Sequence, residues 1–552
     1  MSFAPTYPGI YIQELPSNTH TIAAAPTSVT VFVGYTHPFL TPAANFGQAL
    51  EIFSFSDYER LYGGFYQSSV IDCNVAYAVN EFFTNGGTNA YVVGLQPTNY
   101  YTSLGVLVDP IAHYQPTLTL AASGGDSIEF TPLQPTDALS ISVTINNIQN
   151  DASSHPTTAD MVVTYGSQTE TYRKISLLAQ INGTQPNPNY IATRVNGISQ
   201  LVTVSGNPAY PAQFPAGAPF TGTLTTTLPT GATGAANVLN PSDFLGVFQA
   251  DSALDKVQVF NLLLTPGIVN NAILSEALAF AESKLAFFIM DPPIADVADG
   301  SAGASNTNWV GDFLGNSTGD SGGNIAPQSP NGALYFPYLR ADNPVTGLPT
   351  NAAGNPFTLP PSGSVAGIYA ATDSSRGVWK APAGLATTLL DTTGVVPTGV
   401  MTDTRQGVLN SIGVNCIRSF PGAGTVVFGA RTLVSANTAY QQWMYVPVRR
   451  MALFIEQTLK ANLTWAIFEP NDTPLWVAIR QSISGFMLSL FNQGAFAGET
   501  PSDAFQVKCD STTTTPSDQA LGIVNIVVAF APLRPAEFVV VKIAQLAGQA
   551  SS

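Results

Sequence analysis

The sequence predicts a multidomain protein that combines α/β and α+β parts. Two strand–helix–strand units, near residues 28–95 and 254–290, are typical of an α/β core whose parallel strands are joined by helical crossovers. A polar stretch with β-branched runs separates these units, and strands and helices alternate again after residue 400. The N-terminal end carries a short apolar run bounded by prolines, and the C-terminal end carries one that follows a proline break. We therefore expect an α/β core with an inserted β-rich domain, an α+β C-terminal domain, and extended β-strand arms at both ends.

The first unit begins with the predicted strand Ser28–Gly34. A short helix that ends at Gly63 follows, and a longer helix is predicted at Ser69–Thr84, where apolar residues recur at helical spacing. The Asn-Gly-Gly sequence after this helix is a typical helix end, and the next predicted strand is Ala90–Leu95. These elements make up one crossover unit.

Residues 98–245 differ in texture, because Thr, Ser, Asn, Gly and Pro dominate there. Short alternating runs predict small strands at Ser140–Ile145, Met161–Tyr165 and Gly197–Val204. We interpret the segment as an inserted, solvent-facing β-rich domain. A disordered linker is the alternative, which the β-branched runs disfavour.

The second crossover unit comprises a strand, a helix and a strand, predicted at Leu254–Leu264, Asn270–Lys284 and Leu285–Met290. Further strands are predicted in the C-terminal part at Gly407–Ile417 (after a turn), Thr425–Gly429, Trp443–Val448 and Trp465–Phe468. A helix at Arg449–Ala461 lies between the last two. A longer amphipathic helix follows, with Thr473 predicted as its cap and Gly494 as its end.

The two ends of the chain predict strands that need partners. The last residues form two β-rich runs, Ile523–Phe530 and Glu537–Ile543, around a break at Pro532 and Pro535. The second run is so apolar that an open edge would favour aggregation, so we expect it to pair within its own sheet or with another chain. A proline-bounded strand at residues 7–16, followed by a flexible, alanine-rich link, raises the same expectation. Two such ends indicate a polymer.

The composition supports an assembled state. The chain has 552 residues, more than a single core of about 250–300 residues accommodates. Only 10% of the residues are charged, compared with about 25% in ordinary soluble domains, which indicates that neighbours cover much of the surface. No apolar run reaches the roughly 18–20 residues that cross a bilayer, and the N-terminus lacks the features of a secretory signal. We expect no membrane insertion by this chain and assembly in a cytoplasm.

The charge of the chain disfavours nucleic acid as a direct partner. The net charge is −16, whereas binding to phosphates requires a concentrated positive field. Residues 401–552 hold 10 Lys and Arg against 9 Asp and Glu, while residues 1–400 hold 9 against 26. This asymmetry predicts an acidic outside and a C-terminal part that meets a different partner. Chance scatter of so few charges is the alternative.

The sequence predicts no enzyme, cofactor or metal site. The peptide around Ser321 (GDSGG) matches that of trypsin-like proteases, but none of the four histidines stands in the sequence context that this mechanism requires. A helix start explains Asp472, so the pair Glu469 and Asp472 is not assigned to acid–base chemistry. The three cysteines are isolated, without the spacing of a disulfide framework or a zinc site.

Nine short motifs then occur in a recognisable order. They are Tyr7–Glu14, Ala90–Val93 after Asn85–Gly87, Pro360–Gly363, Arg376–Pro382, Gly429–Leu433, Tyr445–Arg450, Phe468–Asn471, Ala504–Cys509 and Ala531–Phe538. Together they resemble contractile tail sheath proteins, the sheaths of phage tails and of phage-derived injection systems. The resemblance covers residues 1–97 and 246–552, whereas residues 98–245 resemble no family pattern.

The resemblance implies a subunit of hexameric rings that stack around an inner tube and contract from a metastable extended state. The implied partners are other copies of the chain, the inner tube protein, and the baseplate and terminal cap proteins, and no cofactor is implied. The expected domains are an N-terminal arm (1–25), a sheath core (26–97 plus 246–400), an outer insertion (98–245), an inner, tube-facing domain (401–535) and a C-terminal arm (536–552).

The predicted contact residues lie in three groups. The N-terminal arm supplies Tyr7, Gly9, Ile10, Tyr11, Ile12 and Glu14. The C-terminal arm supplies Glu537, Phe538, Val539, Val540, Val541 and Ile543. The tube-facing candidates are Lys460, Arg480 and Lys508, because cationic residues concentrate after residue 400.

Two other classes of protein are alternatives. A static self-assembling shell or fibre protein would share the low charge and the strand-like ends but would need only one lattice state. A secreted or surface enzyme is disfavoured, since the catalytic residues are missing. The resemblance implies assembly in a bacterial cytoplasm, into a phage virion or into a released or anchored contractile particle.

Overall fold

The chain divides into two compact units in the computed structural model. The structure describes residues 20–67, 73–96, 117–122, 127–134, 140–150, 156–181, 184–206, 214, 219–225, 239–293, 313–314, 325–350, 356–396, 401–538 and 540. The larger unit contains Thr27–Ser375 and Pro382–Val446. The smaller unit contains Met1–Pro26, Arg376–Ala381 and Pro447–Ser552.

The larger unit alternates strands and helices along the chain. Its strands are β1 (Thr30–Tyr35), β2 (Ala49–Ile52), β3 (Ala90–Leu95), β4 (Leu118–Ala121), β5 (Ser127–Pro132), β6 (Ile141–Asn150), β7 (Pro156–Tyr165), β8 (Gln168–Ile175), β9 (Gln180–Ile181), β10 (Gln185–Pro186), β11 (Val202–Ser205), β12 (Phe220–Leu224), β13 (Leu262–Leu264), β14 (Phe287–Met290), β15 (Gly332–Phe336), β16 (Leu339–Arg340), β17 (Thr358–Leu359), β18 (Gly394–Val395), β19 (Val414–Phe420) and β20 (Gly424–Val427). Its helices are α1 (Phe55–Tyr62), α2 (Asn74–Thr84), α3 (Ile191–Val195), α4 (Pro241–Leu245), α5 (Asn271–Ser283), α6 (Ser362–Arg376) and α7 (Asp403–Ser411).

An eight-stranded sheet organises this unit, in the order β2-β3-β1-β13-β14-β15-β19-β20. The six central strands run parallel, and the two edge strands β2 and β20 run antiparallel to their neighbours. Every residue of β1 is buried, as expected for a parallel strand that is covered on both faces. Both predicted crossover units are confirmed, one running from β1 through α1 and α2 to β3, the other from β13 through α5 to β14.

Helices α2 and α6 pack closely through glycines. A Cβ atom on Gly363 would lie 2.4 Å from the carbonyl oxygen of Ala78, and one on Gly367 would lie 2.7 Å from that of Phe82. Only a residue without a side chain permits this approach of the backbones of α2 and α6.

The start of α6 is held by the buried Asp291, whose carboxylate accepts hydrogen bonds from the backbone NH and the hydroxyl of Ser362 at 2.8 and 2.6 Å.

The insertion forms small antiparallel sheets of its own. A four-stranded sheet has the order β12-β6-β7-β8, and a three-stranded sheet has the order β11-β5-β4. The strands predicted near residues 140 and 161 are confirmed, whereas β11 (Val202–Ser205) covers only the last three residues of the third predicted strand, Gly197–Val204. Tyr165 packs on Phe39 with ring centroids 4.8 Å apart, and apolar residues of these sheets join the main hydrophobic core. The disordered-linker alternative is therefore wrong for the described strands.

Residues 401–446 contribute to the main sheet. Strand β19 pairs in parallel with β15, and Val414 and Cys416 are buried in the core of the larger unit. The division between the units therefore lies at residue 446, whereas the sequence placed the start of the C-terminal domain at residue 401. The outer and inner positions assigned to the insertion and the C-terminal domain stay predictions.

Some predicted strands are wrong because local polar groups or tertiary contacts override the pattern. The predicted strand Leu254–Leu264 is extended only at β13, since Asp255 accepts a hydrogen bond from the NH of Asp251 and makes a 2.8 Å ion pair with Lys284 in a turn. The first part of the predicted turn and strand at Gly407–Ile417 is helical instead, because residues 403–411 form helix α7, which the hydroxyl of Thr402 caps.

The smaller unit is a helical pair with a short hairpin-like sheet. Its elements are α8 (Val446–Asn462), α9 (Thr473–Asn492), α10 (Pro501–Ala504), β21 (Phe505–Lys508), α11 (Pro516–Ala520) and β22 (Val527–Phe530). Phe454 on α8 packs against Phe486 on α9, inside a cluster of buried apolar side chains. Within the described residues, no helix has the length and apolar character that crossing a membrane requires.

Three local predictions for the smaller unit need correction. Asp472, and not Thr473, caps α9, because its carboxylate accepts from the backbone NH of Leu475 at 3.3 Å. The predicted strand at residues 443–448 instead ends a 3₁₀ turn and begins α8. The predicted strand at residues 465–468 is also wrong, since a 3₁₀ turn covers residues 464–466. Apolar runs this short do not distinguish a strand from a buried helix start.

Candidate assembly interface

The smaller unit carries a sheet with only two strands. β21 and β22 pair antiparallel, from Phe505 opposite Phe530 to Lys508 opposite Val527. A sheet of two strands is marginal in water unless something covers a face. Here Phe505 and Phe530, with the other residues of that face, pack against the apolar cluster around α9. Gln506, Lys508, Val527 and Ala529 are exposed on the opposite face.

The outer edge of β22 is open over the described residues. Ala531 donates its backbone NH to the carbonyl of Ala504 at 2.8 Å, on the β21 side. Successive residues of a strand direct their backbone groups to alternate sides, so those of Val528 and Phe530 face away from β21. An isolated bridge between Phe496 and Pro532 closes the sheet only beyond the end of β22. The edge can therefore accept a further strand.

The described part of the C-terminal arm is exposed. Phe538 and Val540 have 74% and 78% of their surface exposed and lie outside the strands of the described chain, while Glu537 is half-buried. Exposing two large apolar side chains this close together is costly in water. Such exposure is typical of a segment that is covered in an assembly. Val539, Val541 and Ile543 lie outside the described residues, so the pairing of this arm stays a prediction.

The N-terminal segment is docked where it enters the described chain. Asn462 donates its side-chain amide to the carbonyl of Ala23 at 2.8 Å and accepts from the NH of Ala23 at 3.0 Å. Thr458 accepts from the NH of Ala25 at 3.1 Å, and Ile22 is buried in the apolar cluster. His20 stacks on Trp465 with ring centroids 3.9 Å apart.

These contacts correct the expectation of a flexible link. The small side chains of Ala23–Ala25 leave the backbone accessible, so side chains of α8 pair with it much as a neighbouring strand would. The N-terminal segment is therefore held by contacts from His20 onward. The predicted arm residues Tyr7, Gly9, Ile10, Tyr11, Ile12 and Glu14 lie outside the described residues.

The three cationic candidates separate into two places. Arg480 and Lys508 both lie close enough to Asp510 to lower the pKa of its carboxyl group, although hydrogen bonds from Thr512 have the larger effect. Lys508 is exposed on the outer face of the two-stranded sheet, and Arg480 is half-buried on α9. Lys460 is exposed near the end of α8. Arg480 and Lys508 therefore both lie in the surroundings of Asp510, whereas Lys460 lies on α8.

Sequence reasoning missed two asparagines that fix loops of this unit. Asn462 holds the N-terminal segment, as described above. Asn471 donates to the carbonyl of Ile523 at 2.9 Å and accepts from the indole NH of Trp476 at 2.9 Å. Asn471 ends the Phe-Glu-Pro-Asn motif, so a signal for it was present, whereas nothing in the sequence distinguished Asn462.

The described residues hold no cluster of His, Cys, Asp or Glu suited to a metal ion. Asp472 serves as a helix cap, and Ser321 lies outside the described residues. His37 is buried, which lowers its pKa to about 4, and its Nδ1 accepts from the backbone NH groups of Phe39 and Leu40. Asp472 and His37 are therefore engaged in structural hydrogen bonds.

A family profile and one curated relative match parts of the chain. Residues 246–433 match the family profile of the phage tail sheath protein central domain. A tail sheath protein of Vibrio phage KVP40 (isolate Vibrio parahaemolyticus/Japan/Matsuzaki/1991) is 25% identical over 155 residues, which are 28% of this chain and 22% of that protein. The chain thus matches about a fifth of that relative's length.

Solved structures of contractile particles share the fold along the whole chain. The PVC sheath complex of an extracellular contractile injection system, in the contracted state, is 22% identical, with a TM-score of 0.55 and 99% of both chains covered. The helical sheath of the anti-feeding prophage (AFP) in the contracted state is 21% identical, with a TM-score of 0.53, covering 98% of this chain and 100% of that one. A chain of the AFP baseplate is 22% identical, with a TM-score of 0.54, covering 98% and 99%. Residues 246–433 are therefore similar to the phage tail sheath protein central domain, and the chain as a whole shares the fold of the PVC and AFP sheath chains.

Proposed function

We propose that this protein is the structural subunit of a contractile sheath. Its copies form hexameric rings that stack helically around an inner tube, and the sheath shortens from a metastable extended state to drive the tube through a target envelope. The partners are the inner tube protein and the baseplate and terminal cap proteins. Assembly takes place in a bacterial cytoplasm, without a catalytic role for this chain.

The open edge of β22 is the observation that carries the assembly step. An extended segment of a neighbouring copy can add to that edge, and the exposed Phe538 and Val540 belong to a segment with the required apolar, β-branched character. The donor and acceptor are different surfaces of one chain. Such a heterologous contact generates helices or rings and does not stop at a dimer.

Subunits joined by paired strands can also change their packing without separating, which is what contraction requires. Strand pairing through flexible arms can persist while the bodies that the arms join move as rigid units. One set of copies can then occupy a long packing and a short packing that differ in free energy, with a kinetic barrier that keeps the long one in place. The contracted states of the PVC and AFP sheaths, which share this fold, motivate the choice of this mechanism over a static shell.

The test removes the part of the N-terminal arm before the docked segment. A variant that lacks residues 2–19 keeps His20 and the contacts of Ala23, so we expect normal thermal unfolding but no sheath when it is coexpressed with the inner tube protein. Electron microscopy of the full-length protein should show tubes of two lengths and two diameters. Tubes of a single length would favour a static shell, and full-length sheaths from the truncated variant would exclude the arm as a link.

A further inference from the structure

Phe468 is presented to solvent in an unusual way. Its side chain is 102% exposed, and its backbone is in the left-handed region with φ +71°. Bulky residues rarely adopt this conformation. Ile467 beside it is 61% exposed. A large apolar side chain in a strained backbone and without cover in the described unit requires an explanation.

The loop that carries Phe468 is held on both sides. The NH groups of Ile467 and Glu469 donate to the carbonyls of the preceding 3₁₀ turn, at 3.2 and 3.4 Å. Asn471 then ties the loop to α9 through Trp476 and to the loop before β22 through Ile523, and Gln519 donates to the carbonyl of Asn471 at 3.0 Å. The conformation of Phe468 is therefore imposed by its surroundings, as is usual for strain that serves a function.

The same hydrogen bonds place two exposed apolar loops side by side. Leu521 and Ile523 are 73% and 44% exposed, and their segment leads directly into β22. The loop of Phe468 is thus hydrogen-bonded to the segment that leads into β22, the strand whose outer edge is open. A molecule that adds to that edge would therefore meet the part of the smaller unit that carries Phe468.

We infer that Phe468 is a contact residue that packs against an apolar surface of a second copy of this chain. The inference rests on the proposed function, because the second copy is the molecule expected at the β22 edge. An aromatic side chain on a held backbone has only two side-chain torsions to order on docking, and it excludes water from the contact, as interface anchors do. The neighbouring Glu469 stays at the rim. Residues 461–479 and 509–533 contain no lysine or arginine, so apolar contact and strand pairing dominate this surface.

The test separates docking from folding. Glycine adopts a positive φ without strain, and the Phe468 side chain is fully exposed, so Phe468→Gly should unfold at the same or a higher temperature than the wild type. Polymerisation of the purified protein, followed by light scattering and electron microscopy, should require an at least roughly tenfold higher concentration. Phe468→Asn, which also tolerates the left-handed backbone, should behave in the same way. A purely structural role would lower the unfolding temperature instead.

The matched control is Phe53→Ala, since Phe53 is 59% exposed in the larger unit and should not affect polymerisation. Wild-type polymerisation of Phe468→Gly would overturn the inference while leaving the proposed function in place. Normal polymerisation of Phe468→Gly alone, with failure to assemble on the inner tube, would assign Phe468 to the tube and also overturn it. A full-length protein that does not polymerise at all would contradict the proposed function itself.

Discussion

At the scale of single residues, Glu81 is a carboxyl group enclosed in the larger unit. The side chain is 2% exposed, and its Oε2 accepts hydrogen bonds from the hydroxyl of Ser364 at 2.9 Å and from the amide of Asn85 at 3.3 Å. Burial raises the pKa of Glu81 from 4.5 to about 8, because the charged form loses its hydration, and these hydrogen bonds offset only part of that effect. Glu81 is therefore largely protonated in the folded protein at neutral pH.

A raised pKa in the folded state predicts a stability that falls with rising pH. The contribution is fully present below the unfolded value near 4.5 and is lost as the pH rises through about 8. We expect the free energy of unfolding to decrease by at most about 1.4 kcal/mol per pH unit between pH 6.5 and 8. Glu81→Gln, which stays neutral, should remove this slope and be the more stable protein at pH 8. Denaturant unfolding at several pH values measures both.

The window between pH 6.5 and 8 lies above the range in which two other buried groups change the free energy of unfolding most. Burial raises the pKa of Asp291 to about 6, so its contribution is already lost above that pH. Burial lowers the pKa of His37 to about 4, so its contribution is fully present above the unfolded value of 6.5. A slope that persists between pH 6.5 and 8 in Glu81→Gln would show that another group is responsible.

At the scale of secondary structure elements, the C-terminal arm is the segment whose role depends most on pairing. In the described chain, Val540 is 78% exposed, so a substitution there removes little packing from the isolated protein. In a strand added to a neighbour, proline at this position would remove a backbone donor and clash with the ladder. We therefore expect the same substitution to leave the folding of the monomer unchanged and to prevent strand pairing in the polymer.

We expect Val540→Pro to fold with normal thermal unfolding and to form neither extended nor contracted sheath. Val540→Thr is the matched control, because it keeps the β-branched shape and the backbone NH, and it should assemble. Electron microscopy of both variants coexpressed with the tube protein gives the readout. Contracted tubes of normal diameter from Val540→Pro would show that this strand does not link the subunits.

At the scale of the whole molecule, the acidic charge of the chain leaves few cationic groups for a partner. Lys508 and Arg480 share the surroundings of Asp510, whereas Lys460 stands apart on α8. An inner tube with an acidic outer surface would attract such groups, and salt would weaken that attraction because exposed charges are screened over about 8–10 Å. Lys508 is the cleaner position to reverse, since Arg480 is half-buried.

We expect Lys508→Glu to weaken the docking of sheath on tube, most clearly at low salt, with unchanged thermal unfolding. Arg480→Glu should have the same effect with some loss of stability, and Lys460→Glu provides the independent third position. Co-sedimentation of sheath and tube across a salt series measures the docking. If all three variants assemble on the tube as the wild type does, an electrostatic account of docking no longer holds.

Local patterns in the sequence determined the elements that depend on short-range order. The alternation of apolar runs, helical spacing and glycine stops predicted β1, α2, β3, α5 and β14, because periodicity and turn chemistry act over a few residues. The order of the short motifs predicted the sheath family, and the apolar C-terminal run predicted a segment that needs a partner. The low fraction of charged residues predicted a covered surface, because composition can be counted without knowledge of the fold.

Only the tertiary structure decided the features that join residues far apart in the chain. Asn462 pairs with Ala23 across 439 positions, and Ser364 pairs with Glu81 across 283, so neither the docked N-terminal segment nor the buried carboxyl is visible in a local pattern. Phe468, predicted as the end of a strand, has a left-handed backbone instead, and Asn471 fixes its loop to α9 and to the segment before β22. Burial and strain depend on which distant surfaces meet, and that is set by packing of the whole unit.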